Sequence, residues 1–145
     1  MKTVRTSRTI QAPLEKVFQV IADPRGFQEA VADITSVEFL SSQQHGVGTR
    51  FRETRNMQGK EHSVVLEVTE QVENECIRIV SDEGGTVWDS VFSVEQQGDA
   101  VLMTLVMEVK PYKLKAKLMT LLIMGHVGKA IEADMDAIVK YCEQG

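Results

Sequence analysis

Glu53 and Arg55 are the residues of this chain best suited to chemistry. They stand two apart in Thr49 to Met57, a stretch whose alternation reads as a β-strand. With Phe51 facing the interior, a period of two carries Thr49, Glu53, Arg55 and Met57 to the same side. Charges on an inward strand face are costly unless they are paired or used. Such a pair can orient the polar head of a bound molecule, or it can make Glu53 a general acid or base with a displaced pKa. The alternative is a twisted or bulged strand that leaves both residues solvated at the sheet rim.

Other candidates follow from the same alternation. Trp88, Ser90, Phe92 and Val94 share one strand face. Trp88 and Phe92 suit the wall of an apolar site and suit plain core equally well. Asp89 falls on the opposite face, where it is expected to be solvated. In the last strand Met103, Leu105, Met107 and Val109 alternate with Leu102, Thr104, Val106 and Glu108. The Met face is taken as inward, because Met adapts either to a floppy ligand or to gaps in a core.

His45, His62 and His126 lack a ligand spacing such as HExxH, and Cys76 and Cys142 are far apart, so no metal and no other cofactor is expected. A GxSxG elbow is absent. Gly125-His126-Val127-Gly128-Lys129 fails as a phosphate loop, since Ile123 and Ala130 stand where Gly and Ser or Thr are required. Lys110, Lys113, Lys115 and Lys117 cluster beside Leu114 and the run Leu118 to Met124. They read as a solvated helix end with snorkelling lysines, or as a dock for an anionic membrane or partner.

Composition limits the classes open to the chain. It has 145 residues, the length of one domain, 1–145, with enough core to fold without a staple. Apolar residues at 43% and charged residues at 26% exclude disordered and low-complexity classes. Sixteen Lys and Arg against 21 Asp and Glu give a net charge of −5, which argues against a nucleic-acid partner. The start Met1-Lys2-Thr3-Val4-Arg5 has no apolar segment of the signal-peptide kind. The run Leu118 to Met124, broken by Thr120, is far short of the ~20 residues of a membrane span. With two unpaired thiols, these features predict a cytoplasmic protein without an integral membrane segment.

The elements that must position the candidates are legible in the periodicity. Residues 3–11 predict a polar strand, of a kind suited to a sheet edge. Ala12-Pro13 opens a helix buried through Leu14, Val17, Phe18 and Ile21, and Asp23-Pro24 ends it. A short helix over Arg25 to Val31 follows. A meander of about six antiparallel strands then runs from Ile34 to Lys110, with a slip in the first and turns at Gly46–Gly48, Gln58-Gly59, Glu73–Glu75, Gly84-Gly85 and Gly98. Tyr112 to Glu143 predicts one long helix. Its expected inward stripe is Leu114, Leu118, Leu121, Met124, Val127, Ile131, Met135, Ile138 and Cys142. Gly125 and Gly128 within it predict a kink or a close contact.

This order resembles the START-like, or SRPBCC, superfamily, in particular its polyketide cyclase/dehydrase and lipid-transport branch. The resemblance covers nearly the whole chain. It is carried by Thr9-Ile10-Gln11-Ala12-Pro13-Leu14-Glu15-Lys16-Val17-Phe18, Ile21-Ala22-Asp23-Pro24, Gly46-Val47-Gly48-Thr49-Arg50-Phe51, Glu67-Val68-Thr69-Glu70 and the terminal amphipathic helix. It implies an α+β helix-grip fold, in which a curved seven-stranded antiparallel sheet grips the C-terminal helix around a cavity. Members bind sterols, lipids, plant hormones, polyketides or quinones, and some are cyclases or hydrolases. No invariant catalytic motif transfers to residues of this chain, so fold leaves function open.

The first functional expectation is therefore binding of a small hydrophobic molecule, such as a lipid, quinone or polyketide-like compound. Its cavity would be lined by Phe51, Glu53, Arg55, Trp88, Phe92, Met103, Leu105, Met107, Leu121, Met124 and Val127, with access through the Gln44–Gly48 loop and the short helices. The second is a cyclase or dehydratase with Glu53 as acid or base and Arg55 polarising a carbonyl. The third is a filled-core interaction domain acting through its outer sheet face. The N-terminal edge strand leaves a weak homodimer open, although its polar residues oppose one.

Overall fold

The computed structural model describes residues 1–144. The chain runs β1 (Lys2–Ile10), α1 (Leu14–Ala22), α2 (Pro24–Ala30), β2 (Ile34–Phe39), β3 (Arg50–Met57), β4 (Lys60–Val72), β5 (Cys76–Glu83), β6 (Thr86–Gln97), β7 (Ala100–Pro111) and α3 (Leu114–Glu143). The seven strands form one antiparallel sheet in the order β1-β7-β6-β5-β4-β3-β2. This is the expected helix-grip fold.

Local chemistry sets the element ends. Pro13 caps α1 from an extended conformation, and its carbonyl accepts from Val17 N at 3.1 Å. Asp23 ends α1 and begins α2: its carboxylate accepts from Arg25 N at 3.0 Å, and Pro24 occupies the first helical position, where a missing N–H does no harm. Gly84 and Gly85 both have positive φ, at 61° and 88°, as a two-residue hairpin turn requires. A Cβ on Gly85 would also come within 2.8 Å of the Lys113 side chain. The slip foreseen in β2 lies between Ile34 and Ser36, and a second irregularity in β4 lies between Val68 and Glu70. Such interruptions bend strands, and here they help curl the sheet.

The core fills one end of that curl. Val17, Phe18 and Ile21 of α1 meet Ile10, Val101 and Met103 of the sheet and Ile131, Met135, Ile138 and Cys142 of α3. Arg8 fastens α3 to the β1 edge through Glu132 at 2.6 Å and Asp136 at 2.7 Å. The N-terminal half of α3 behaves differently. Leu114, Leu118 and Leu121, expected to face inward, are exposed, and Ala116 and Thr120 are buried instead. Counting back from Ile131 in helical steps reaches Val127, Ile123, Thr120 and Ala116, whereas the leucines lie on the far side of the same helix. Two apolar stripes were available there, and packing of the C-terminal half selected the less hydrophobic one. Gly125 and Gly128 have open space around their Cα atoms and lie within unbroken helix, so neither marks a close contact.

Asp89 also departs from expectation. It is buried on the outer sheet face, where Arg78 grips it with two bonds of 2.8 and 2.7 Å and Lys110 adds a third at 3.1 Å. The Arg78 hydrogen bonds hold its pKa below the ordinary 3.8, against the opposing effect of burial. A carboxylate lowered in this way adds stability above pH 3.8, and that stability is lost as pH falls through the folded value. Asp89→Asn is expected to lose about 1–3 kcal/mol at neutral pH. Urea denaturation should show the gap from the parent closing in acid; a gap that stayed constant with pH would contradict this role.

Candidate functional site

Between the sheet and the N-terminal half of α3 lies a cavity of about 860 Å³. Its walls come from inward strand positions: Phe51 of β3, Leu66 and Val68 of β4, Ile77 and Ile79 of β5, Trp88 and Phe92 of β6, and Leu105 and Met107 of β7. Ile21 and Phe27 close the end next to the core, and Ala116, Ile123 and Val127 of α3 form the roof. Phe27 meets Phe92 edge to face, with ring centroids 5.8 Å apart. The exposed lining residues Met57, His62, Gly84, Lys115 and Met119 place the mouth at the β3–β4 and β5–β6 turns and the start of α3. The Gln44–Gly48 loop does not line the cavity, so the expected access there is corrected; α2 contributes Pro24 and Phe27. A filled core, which the interaction-domain expectation needed, is not what occupies this space.

A charged cluster of Glu53, Arg55 and Asp134 faces the cavity, which Glu83 and Lys115 also line. Strand alternation puts Glu53 and Arg55 on the inner face, and Arg55 Nε donates to Glu53 Oε1 at 2.8 Å. Arg55 Nη1 reaches across to Asp134 of α3 at 3.0 Å. The side chains of Arg55, Glu53 and Asp134 are only 23%, 12% and 19% exposed. Burial pulls against the charge on Arg55, but Glu53 and Asp134 outweigh it and hold the guanidinium above its usual pKa. Burial is also the largest influence on Asp134 and raises its pKa above 3.8, even though Arg55 opposes the rise. Two carboxylates thus share one cation. Their remaining oxygens are acceptors.

A second polar feature lies along β5 and β6. Ser81 Oγ is buried without a hydrogen-bond partner among the described residues, on the face that also presents Ser90 and Trp88. Thr120, by contrast, commits its hydroxyl to the Ala116 carbonyl at 2.8 Å.

Eight expected residues line the cavity: Phe51, Glu53, Arg55, Trp88, Phe92, Leu105, Met107 and Val127. Three do not. Met103 shares the inward face of Leu105 but is wholly buried in the core, because alternation gives a face and not a position along the strand. Leu121 is 66% exposed on the outer side of α3. Met124 borders a shallow groove between α3 and β1, with Val4 and Gly128. Asp134 was missed, although its spacing from Val127, Ile131 and Ile138 places it beside the buried stripe.

This fold and its whole-chain extent agree with the comparisons. Residues 1–143 match the model of the family described as polyketide cyclase/dehydrase and lipid transport. The chain belongs to that family. Among solved structures, TTHA0849 from Thermus thermophilus is 21% identical, with a TM-score of 0.73 over 99% of this chain and 95% of that one. A START superfamily protein from Mycobacterium smegmatis is 18% identical, with a TM-score of 0.76 over 98% and 97%. The di-domain ARO/CYC BexL from the BE-7585A biosynthetic pathway is 12% identical, with a TM-score of 0.78 over 97% of this chain and 46% of that one. At these identities the likeness is one of fold. No curated protein matches the chain in sequence.

Removing the shared cation tests the cluster. Arg55→Met takes the cation from two partly buried carboxylates and is expected to lose about 3 kcal/mol at neutral pH. A carboxyl whose folded pKa is raised contributes stability below its unfolded value, which is lost as pH rises through the folded one. For Asp134 that window opens at 3.8 and extends upward. Arg55 opposes the rise, so its loss lifts the Asp134 pKa further. The variant then gains more from acid than the parent and its deficit should shrink as pH falls, while the further changes Glu53→Gln and Asp134→Asn should restore stability at neutral pH. A deficit that these changes left in place would show that charge is not its cause.

Proposed function

We propose that this protein binds a small hydrophobic molecule, of lipid, quinone or polyketide-like kind, in the cavity between the sheet and α3. The observation that carries the reading is a space of about 860 Å³ with mainly apolar walls and an ion-paired cluster of Glu53, Arg55 and Asp134. Its size falls within the ~300–1,000 Å³ typical of small-molecule sites. The family's description and the ARO/CYC designation of one structural neighbour support the same class of ligand.

The cluster also bears on the ligand's polar end. Arg55 is already engaged by Glu53 and Asp134, so a bound carboxylate or phosphate would bring a third anion to one cation. A hydroxyl or amine can instead donate to the carboxylate oxygens. The preferred ligand is then an apolar body with a hydrogen-bond donor at one end. A second reading is acid–base catalysis on such a ligand, favoured by the half-buried carboxyls of Glu53 and Asp134 that share Arg55 at the cavity, with burial raising the pKa of Asp134.

Trp88 is the only tryptophan and lines the cavity, so its fluorescence reports occupancy. Titration with dodecanol and with dodecanoate at neutral pH should change that fluorescence, with the alcohol bound roughly tenfold more tightly. Asp134→Asn should narrow the preference. No response to either probe would count against the cavity as a binding site, and tighter binding of the acid would overturn the assignment of the head-group site.

A further inference from the structure

The N-terminal half of α3 is apolar on two opposite sides. One side, with Ala116, Thr120 and Ile123, roofs the cavity. The other carries Leu114, Leu118, Leu121 and Leu122, which are 77%, 60%, 66% and 76% exposed. At about 100° per residue, these four leucines form one stripe roughly 100° wide, facing away from the cavity. Contiguous exposed leucines differ from the scattered single apolar residues of ordinary surfaces and mark a contact surface.

Charge identifies what the stripe contacts. Lys115 and Lys117 flank it on its two sides, and Lys113 precedes it. No Asp or Glu occurs between Val109 and Ile131, yet that segment holds Lys110, Lys113, Lys115, Lys117 and Lys129 in a chain of net charge −5. Lys110 is taken up by Asp89. Lys113, Lys115 and Lys117 are exposed, and none forms an ion pair among the described residues. In the adjoining β5–β6 hairpin, Asp82 accepts from Tyr112 Oη and Glu83 from Val65 N. A second copy of this surface would set lysines against lysines, with no acid in the stripe to answer them. A leucine stripe flanked by unpaired lysines instead matches a helix lying in a lipid interface, with the leucines at the acyl boundary and the lysines among anionic head groups.

We propose that the N-terminal half of α3 docks this protein on an anionic membrane surface through Leu114, Leu118, Leu121 and Leu122. Lys115 and Met119 border the cavity mouth on the same stretch of helix, so docking sets that mouth at the level of the head groups. The docking stands independently of what the cavity binds.

The test is co-sedimentation of the full chain with vesicles of phosphatidylcholine alone and of phosphatidylcholine mixed with phosphatidylserine. Binding is expected on the mixed vesicles only and should weaken as salt is raised. The double change Leu118→Ser, Leu122→Ser is expected to reduce it roughly tenfold or more. Lys113→Glu with Lys117→Glu should abolish it. All four side chains are exposed, and unchanged circular dichroism and melting would establish that the variants fold. Three outcomes would overturn the proposal: no binding to mixed vesicles, equal binding to neutral ones, or a dimer in analytical ultracentrifugation that the leucine changes dissolve.

Discussion

Arg55 bridges the sheet and the long helix at the place where close packing stops. On the core side of this bridge, Ile131, Met135, Ile138 and Cys142 of α3 are buried against the sheet and α1. On the other side α3 stands away from the strands and leaves the cavity. The bridge needs an inward cation on β3, its neighbour Glu53 two residues earlier, and Asp134 within reach on the helix. Remove the helix from its position and Asp134 loses its cation, while Glu53 keeps Arg55. The same interaction that positions the roof therefore supplies the cavity's charged end, so architecture and chemistry are coupled through one guanidinium.

The remainder of the fold serves this arrangement. Irregular pairing in β2 and β4 helps curl the sheet so that its inner face surrounds a space. Salt bridges from Arg8 to Glu132 and Asp136 hold α3 along the β1 edge. The outer face has its own buried charge in Asp89, held by Arg78 and Lys110 from the two neighbouring strands. Small inward residues in the first half of α3, Ala116 and Thr120, leave volume that larger side chains would occupy. The leucines that could have filled it point outward, which makes room inside and creates an adhesive surface outside.

Much of this was legible in the chain. Turn residues delimit the strands, and alternation around Phe51 places Glu53 and Arg55 on the cavity face. The opening Ile10-Gln11-Ala12-Pro13 and the terminal helix point to the family. What was not legible depends on distant neighbours. Asp89 looks solvated until the register brings Arg78 and Lys110 beside it. The inward side of α3 near Leu118 is ambiguous, because two apolar stripes coexist and only docking of the distal half chooses between them. Asp134 is hidden for a related reason: an apolar stripe directs attention to its hydrophobic members, and the one acid beside it gains meaning only when Arg55 arrives from another element.

Native mass spectrometry of the protein taken from its own host, followed by solvent extraction, tests the central claim most directly. The account predicts a copurifying hydrophobic molecule bearing a hydroxyl or amine. A clean unliganded mass, together with no thermal shift across a panel of lipids and aromatic compounds, would contradict it.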